Sequence, residues 1–181
     1  MPTHNALPGF NSPGVGFEQP FEMLEACHDR VRRSLTLLDK LVAHVASKGH
    51  DAQSRSAAAD VLRYFDLAAP LHHLDEETHV FPLLLEQGDA ALRKTVQTLQ
   101  DDHTAMGHLW LRLRRELLDW RDAEAPAALT TATRTDAASF SALYANHLKV
   151  EEGLVFPQAR SRLDAAGLAA MGRQMQARRQ S

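Results

Sequence analysis

Two stretches decide the fold: residues 72–82, HHLDEETHVFP, and residues 147–157, HLKVEEGLVFP. Laid over one another, they align His72 with His147, Glu76 with Glu151, and Glu77 with Glu152. Val80-Phe81-Pro82 falls on Val155-Phe156-Pro157, at the same offset of 75 residues (147 − 72). That offset also carries Phe65 to Phe140 and His28 to His103. Self-similarity at a fixed spacing marks a duplicated supersecondary unit.

The unit is a helical hairpin. Over residues 17–48 the apolar positions Phe21, Leu24, Val31, Leu35, Leu38, Leu41, Val42 and Val45 recur at helical spacing, and Gly49 closes the run. A second helical stretch covers residues 52–87 and stops at Gly88. A third follows Asp89, a natural N-cap, and continues to residue 124, before Pro126. The fourth starts at Thr130 or Thr131 and reaches residue 163; a shorter fifth spans 165–179. Strand signals are nearly missing: aromatic residues make up 6%, and no Asn-Gly or Asp-Gly turn occurs. Long amphipathic helices with short connections imply antiparallel neighbours. The sequence therefore predicts an all-α, antiparallel up-down-up-down four-helix bundle with a short extra C-terminal helix. Its parts are an irregular arm over 1–16 (Pro2, Pro8, Gly9, Pro13, Gly14, Gly16), a bundle of two repeated hairpins over 17–163, and a helix with a tail over 164–181.

Composition narrows the function. The 181 residues fit one domain with a full core, and 44% hydrophobic with 24% charged residues is ordinary for a globular chain. A formal charge of −3 argues against a nucleic-acid binder. No apolar run approaches the ~20 residues that span a bilayer, and the first residues lack a signal-peptide pattern. One cysteine, Cys27, leaves no internal disulfide framework. The expected compartment is the cytoplasm, with no membrane and no nucleic acid as partner. No nucleophile elbow, phosphate-binding glycine loop or dinucleotide fingerprint is present, so any turnover would have to come from a metal.

Ten histidines stand out. His72 and Glu76 lie four apart and share one helix face; His147 and Glu151 repeat this. His28 and His103 sit among apolar neighbours, where an unpartnered imidazole is costly. Four helices thus offer one histidine each, and two add a glutamate. Bundle interiors are where facing helices build metal sites. The set exceeds the shell of one structural zinc, and mixed nitrogen and oxygen donors suit iron or manganese. Two ions satisfy the count: His28 and His72 on one, His103 and His147 on the other, and Glu76 and Glu151 shared.

This series, with both Val-Phe-Pro tails, resembles the hemerythrin and HHE cation-binding family over nearly the whole bundle. The resemblance implies a non-haem centre of two iron ions, oxo- or hydroxo-bridged, that binds or reacts with dioxygen, nitric oxide or peroxide. The donor types also admit manganese or zinc. Two departures bear on function. The oxygen carriers of that family have a second histidine four residues after the one on helix three, where this chain has Gly107. Their fourth helix uses His-x4-Asp, where this chain has His147-x3-Glu151. Both point away from reversible oxygen carriage and toward sensing, iron handling or slow redox chemistry. Two other functions fit parts of the pattern. A ferritin-like iron and oxygen oxidase would use Glu25-x-x-His28 and Glu76-x-x-His79, but Gln100 and Leu154 break that set in the second half. A non-catalytic interaction module would keep the metal only as a brace.

Secondary positions complete the expectations. His79, seven after His72, is a candidate additional ligand or ligand-supporting residue, as is His73 if Pro70 distorts the helix. Tyr144 could aim its phenol at a bound ligand, although core packing is the better expectation. His108 falls ~140° around the helix from His103, off the site. Pro82 and Pro157 should bend the chain just past each glutamate. Cys27 reads as a small buried hydrophobe, and Trp110 and Trp120 as core. Arg173, Arg178 and Arg179 suit the negative end of the last helix. Asp75, Glu77 and Glu152 read as solvated.

Overall fold

The computed structural model describes residues 15–180. Most of the predicted arm, residues 1–14, and Ser181 lie outside the described residues. Five helical runs follow one another. α1 is Pro20–Lys48. α2 runs through Ala52–Arg63, Tyr64–Ala68, Ala69–Asp75, Glu76–Val80 and Phe81–Gln87 without leaving helical geometry. α3 is Ala90–Asp122. α4 runs through Thr131–Val150, Glu151–Val155 and Phe156–Arg160, and α5 is Ala165–Arg178. The described residues contain no strand.

The starts of α2, α3, α4 and α5 are set by side-chain caps. Asp51 and Ser54 form a reciprocal capping box at α2. Asp89 accepts from the Leu92 amide, Thr130 from Thr133 and Asp164 from Gly167. Gly49 ends α1 at φ 79°, a conformation open to glycine at no steric cost. α1 packs on α2, α2 on α3, α3 on α4, and α4 back on α1, which closes the antiparallel bundle. α5 folds back against α1 and buries Met171, Gly172 and Met175. Gly172 is required there, because a Cβ would run into the Phe17 carbonyl. No helix among the described residues is long and apolar enough to cross a membrane.

Three turns depart from α geometry, and each has the same cause. In Tyr64–Ala68, Glu76–Val80 and Glu151–Val155, the next residue's amide bonds five residues back: Ala69 to Tyr64, Phe81 to Glu76, and Phe156 to Glu151. Each of those residues precedes a proline (Pro70, Pro82, Pro157). Proline cannot donate to the carbonyl four back and its ring crowds that carbonyl, so the turn widens. The repeat supplies a control: Ala145 stands opposite Pro70, and Thr131–Val150 is regular α-helix there. The expected bends beyond the glutamates are therefore widened turns that begin at the glutamates themselves.

The core is split in two. One apolar cluster joins Val31 to Val45 of α1 with Ala58, Val61, Phe65, Leu113, Leu117, Trp120, Phe140 and Leu148. The other joins Phe21, Leu24, Val80, Phe81, Leu84, Leu92, Val96, Leu99, Val155 and Phe156 with Met171 and Met175 of α5. Between them lies a polar layer: His28, His72, Glu76, His103, His147 and Glu151, all buried.

Candidate metal centre

The duplicated hairpins bring all six predicted residues into this layer. Their donor atoms form two groups, each within 4.8 Å: His28, His72, Glu76 and Glu151; and His103, His147, Glu76 and Glu151. Each hairpin contributes the two histidines of one group and one of the shared glutamates. The two oxygens of each glutamate face different groups. Glu76 Oε1 lies 3.1 Å from His72 Nε2, while its Oε2 lies 3.5 Å from His103 Nε2. Glu151 Oε2 lies 3.3 Å from His28 Nε2, and its Oε1 lies 3.1 Å from His147 Nε2.

The imidazoles are oriented from behind. His28 Nδ1 meets Glu152 Oε1 at 2.8 Å, His103 Nδ1 meets Glu77 Oε1 at 2.8 Å, and His147 Nδ1 meets Asp102 Oδ2 at 3.2 Å. A carboxylate only accepts, so Nδ1 donates in each, and Nε2 is the nitrogen left facing inward to ligate once it carries no proton. His103 Nε2 and His147 Nε2 face one another at 3.1 Å, a separation that a shared proton satisfies and that a cation would replace. Phe156 stacks on His28 and Phe81 on His103, with centroids 5.2 and 5.4 Å apart. The conspicuous Val-Phe-Pro tails thus wall the site, each from the other hairpin.

The repeat fails at one supporting position. The counterpart of Asp102 is Cys27, and His72 Nδ1, the counterpart of His147 Nδ1, is buried without a hydrogen-bond partner. Also buried and unpartnered are His28 Nε2, His72 Nε2 and all four oxygens of Glu76 and Glu151. Burial of so many lone pairs and carboxylate oxygens is expensive unless a cation gathers them. The donor set fits two metal ions of intermediate hardness, with no thiolate near enough to join either group. Burial opposes the positive charge of His28, but Glu151 and Glu76 outweigh it and push its pKa up to about 10. Burial holds His72 and His73 well below the usual histidine range.

The other expectations divide. His73 joins neither group; it stacks on His103 with centroids 3.9 Å apart and a 12° tilt. The buried Tyr144 sits with its hydroxyl 3.3 Å from His73 Nε2. His79 is outside both groups and meets Arg178. Gly107 is exposed, and His108 is exposed and off the site. Glu25 is exposed and absent from both groups, which removes the ligand that a ferritin-like reading requires. Cys27 is buried, and that burial raises its pKa.

Of the three carboxylates read as solvated, Asp75 needs correction and Glu77 and Glu152 have an added role. Asp75 is fully buried and accepts from Arg178 at 2.8 Å and Arg179 at 2.7 Å. These arginines therefore clamp α5 to α2 beside Glu76; compensating a helix end is not their main task. Glu77 and Glu152 keep partial solvent contact but spend an oxygen each on a site histidine. Arg32 holds Glu152 in turn, at 2.7 Å. Asp102 carried no motif signal of its own, because its repeat partner is a cysteine.

Comparison with known proteins agrees with this geometry. The hemerythrin HHE cation binding domain profile matches residues 19–159, and the chain belongs to that family. An uncharacterized protein of Haemophilus influenzae (strain ATCC 51907 / DSM 11121 / KW20 / Rd) is 31% identical over 169 residues, covering 91% of this chain and 92% of the relative.

Proposed function

We propose that this HHE chain holds two iron ions bridged by Glu76 and Glu151, and binds or senses a small ligand such as dioxygen, nitric oxide or peroxide. One observation carries the reading: each buried glutamate turns its two oxygens toward different histidine pairs, with no hydrogen bond to satisfy them. Bound iron would supply open coordination positions and one-electron redox chemistry. The chain's own residues set the terms. His28 and His72 would hold one ion, and His103 and His147 the other. Glu152, Glu77 and Asp102 accept from Nδ1 of three imidazoles and so aim Nε2 at the ions. Phe81 and Phe156 keep bulk water off the layer. His72 alone lacks a carboxylate behind it, so the two positions differ in strength and the first is the weaker. That inequality favours a reactive or sensing centre over a purely structural brace. A single buried thiol is at home in the reducing cytoplasm, where we place the protein.

The test is anaerobic loading with ferrous iron, followed by nitric oxide or dioxygen under an absorbance readout. The proposal expects a new visible band in the wild type and none in Glu76→Ala or Glu151→Ala. A fully loaded wild type that stays spectroscopically silent to both gases would overturn it.

A further inference from the structure

A train of aromatic rings that includes a tyrosine and a tryptophan leaves the polar layer on one side, whereas the rings on the other side, Phe81, Phe156 and Phe21, are all phenylalanines. From His103 the train passes to His73 (3.9 Å between centroids), then to Tyr144 (5.9 Å). Tyr144 touches Phe140 at 5.0 Å and Phe65 at 5.7 Å, and these touch Trp110 at 5.9 and 5.1 Å. Tyr144 is buried, whereas Trp110 is only partly so and reaches the surface. Both oxidisable side chains keep their labile proton against a base. The Tyr144 hydroxyl lies 3.3 Å from His73 Nε2, and Trp110 Nε1 donates to Asp66 Oδ1 at 3.0 Å. Asp66 also holds Arg114. Trp120, on the same helix, is buried with no hydrogen-bond partner for its indole nitrogen.

Core packing alone does not explain the arrangement. The repeat shows what packing requires, since Phe65 and Phe140 are partners in it and occur in both halves. His73, Tyr144 and Trp110 have as counterparts Leu148, Ala69 and Leu35. His73 in the first half and Tyr144 and Trp110 in the second therefore depart from the repeat; His73 and Tyr144 are in contact, and Phe65 and Phe140 join Tyr144 to Trp110.

We propose that Tyr144 and Trp110 form an oxidation relay that carries damaging equivalents from the centre to the surface when it meets hydrogen peroxide. The inference rests on the reading of the site as a redox-active metal centre. In the first step Tyr144 gives one electron toward the centre, and its phenolic proton moves to His73 Nε2. Trp110 then returns an electron to Tyr144, which recovers its proton, while the indole proton passes to Asp66. A second electron follows the same route, and water adds to the oxidised indole with loss of a further proton. Peroxide takes up the two electrons and two protons to give two waters. The net change is one oxygen atom gained by Trp110 and one peroxide reduced to water. The site histidines, with which peroxide chemistry would otherwise end, are spared.

The experiment treats iron-loaded protein with hydrogen peroxide in isotope-labelled water and maps oxidation by peptide mass spectrometry. Metal content and absorbance are recorded on the same samples. The expected result is water-derived oxygen on Trp110, none on Trp120, and loss of the Trp110 product in Tyr144→Phe, which keeps the ring but lacks the hydroxyl. In Trp110→Phe, oxidation should shift back to Tyr144 and the site histidines. Equal Trp110 oxidation in the metal-free chain, or in an iron-loaded Tyr144→Phe, overturns the relay. So does an iron-dependent absorbance change with Trp110 intact. If peroxide leaves the loaded centre's absorbance unchanged, the reading of the site as redox-active fails, and the relay fails with it.

Discussion

Asp102 and Cys27 occupy equivalent repeat positions, so one half of the candidate centre has a carboxylate behind His147 and the other has none behind His72. Loss of a carboxylate behind a ligating imidazole typically lowers metal affinity ~10–100-fold. Asp102→Asn should therefore weaken one of the two metals by about that factor and leave the other nearly unchanged, as read by competition with a chelator. In the wild type, the metal held by His28 and His72 should leave first. Glu25→Ala should retain both, because Glu25 is exposed and outside the layer. Proton linkage gives a further expectation. Burial disfavours the charged form of His28, yet Glu151 and Glu76 prevail and lift its pKa from 6.5 to about 10 in the metal-free chain. A raised pKa gives stability that is full below the unfolded value and is lost as pH rises through the folded one. A metal must displace that proton, so uptake should tighten steadily as pH rises from 6.5 toward about 10, with proton release on binding. A pH-stat titration during metal addition checks this; binding without proton release near neutral pH would contradict it.

The elements show where sequence reasoning reached its limit. Helix periodicity, caps and the glycines at 49 and 88 marked the helix boundaries to within about three residues, because these are local signals. The six candidate ligands are legible for a different reason: they are three positions, each printed twice by the duplication. Asp102, which the duplication does not repeat, stayed hidden, and Glu77 and Glu152, which it does repeat, still read as ordinary surface charges. Asp75 looked like one more charge beside two glutamates, and nothing local linked it to arginines over 100 residues away. The widened turns after Tyr64, Glu76 and Glu151 follow from the next proline, but only their number and position reveal the rule. The clamp between α2 and α5 makes a stability prediction. Asp75 is fully buried, and Arg179 retains only 7% side-chain exposure. Removal of one partner from a buried ion pair costs about 3–5 kcal/mol. Asp75→Ala should lose about that much in urea unfolding, more than Arg178→Ala, which leaves Arg179 paired. A near-neutral Asp75→Ala would show that α5 docks through Met171 and Met175 alone.

Across the whole molecule, the buried polar layer interrupts a core that is otherwise complete on both sides. Each apolar cluster draws on all four bundle helices, so neither depends on the layer for its packing. Chelation should therefore lower the melting temperature while far-ultraviolet helicity persists; collapse of helicity would favour a metal that serves only as a brace. The bundle, its duplication and its two-group centre are mutually consistent, and together they make a stoichiometric statement. Elemental analysis of protein produced in iron-replete cells tests it most directly. The expected result is two irons per chain, falling sharply in Glu76→Ala and in Glu151→Ala because each bridges both positions. One zinc per chain, or no stoichiometric metal, would contradict it.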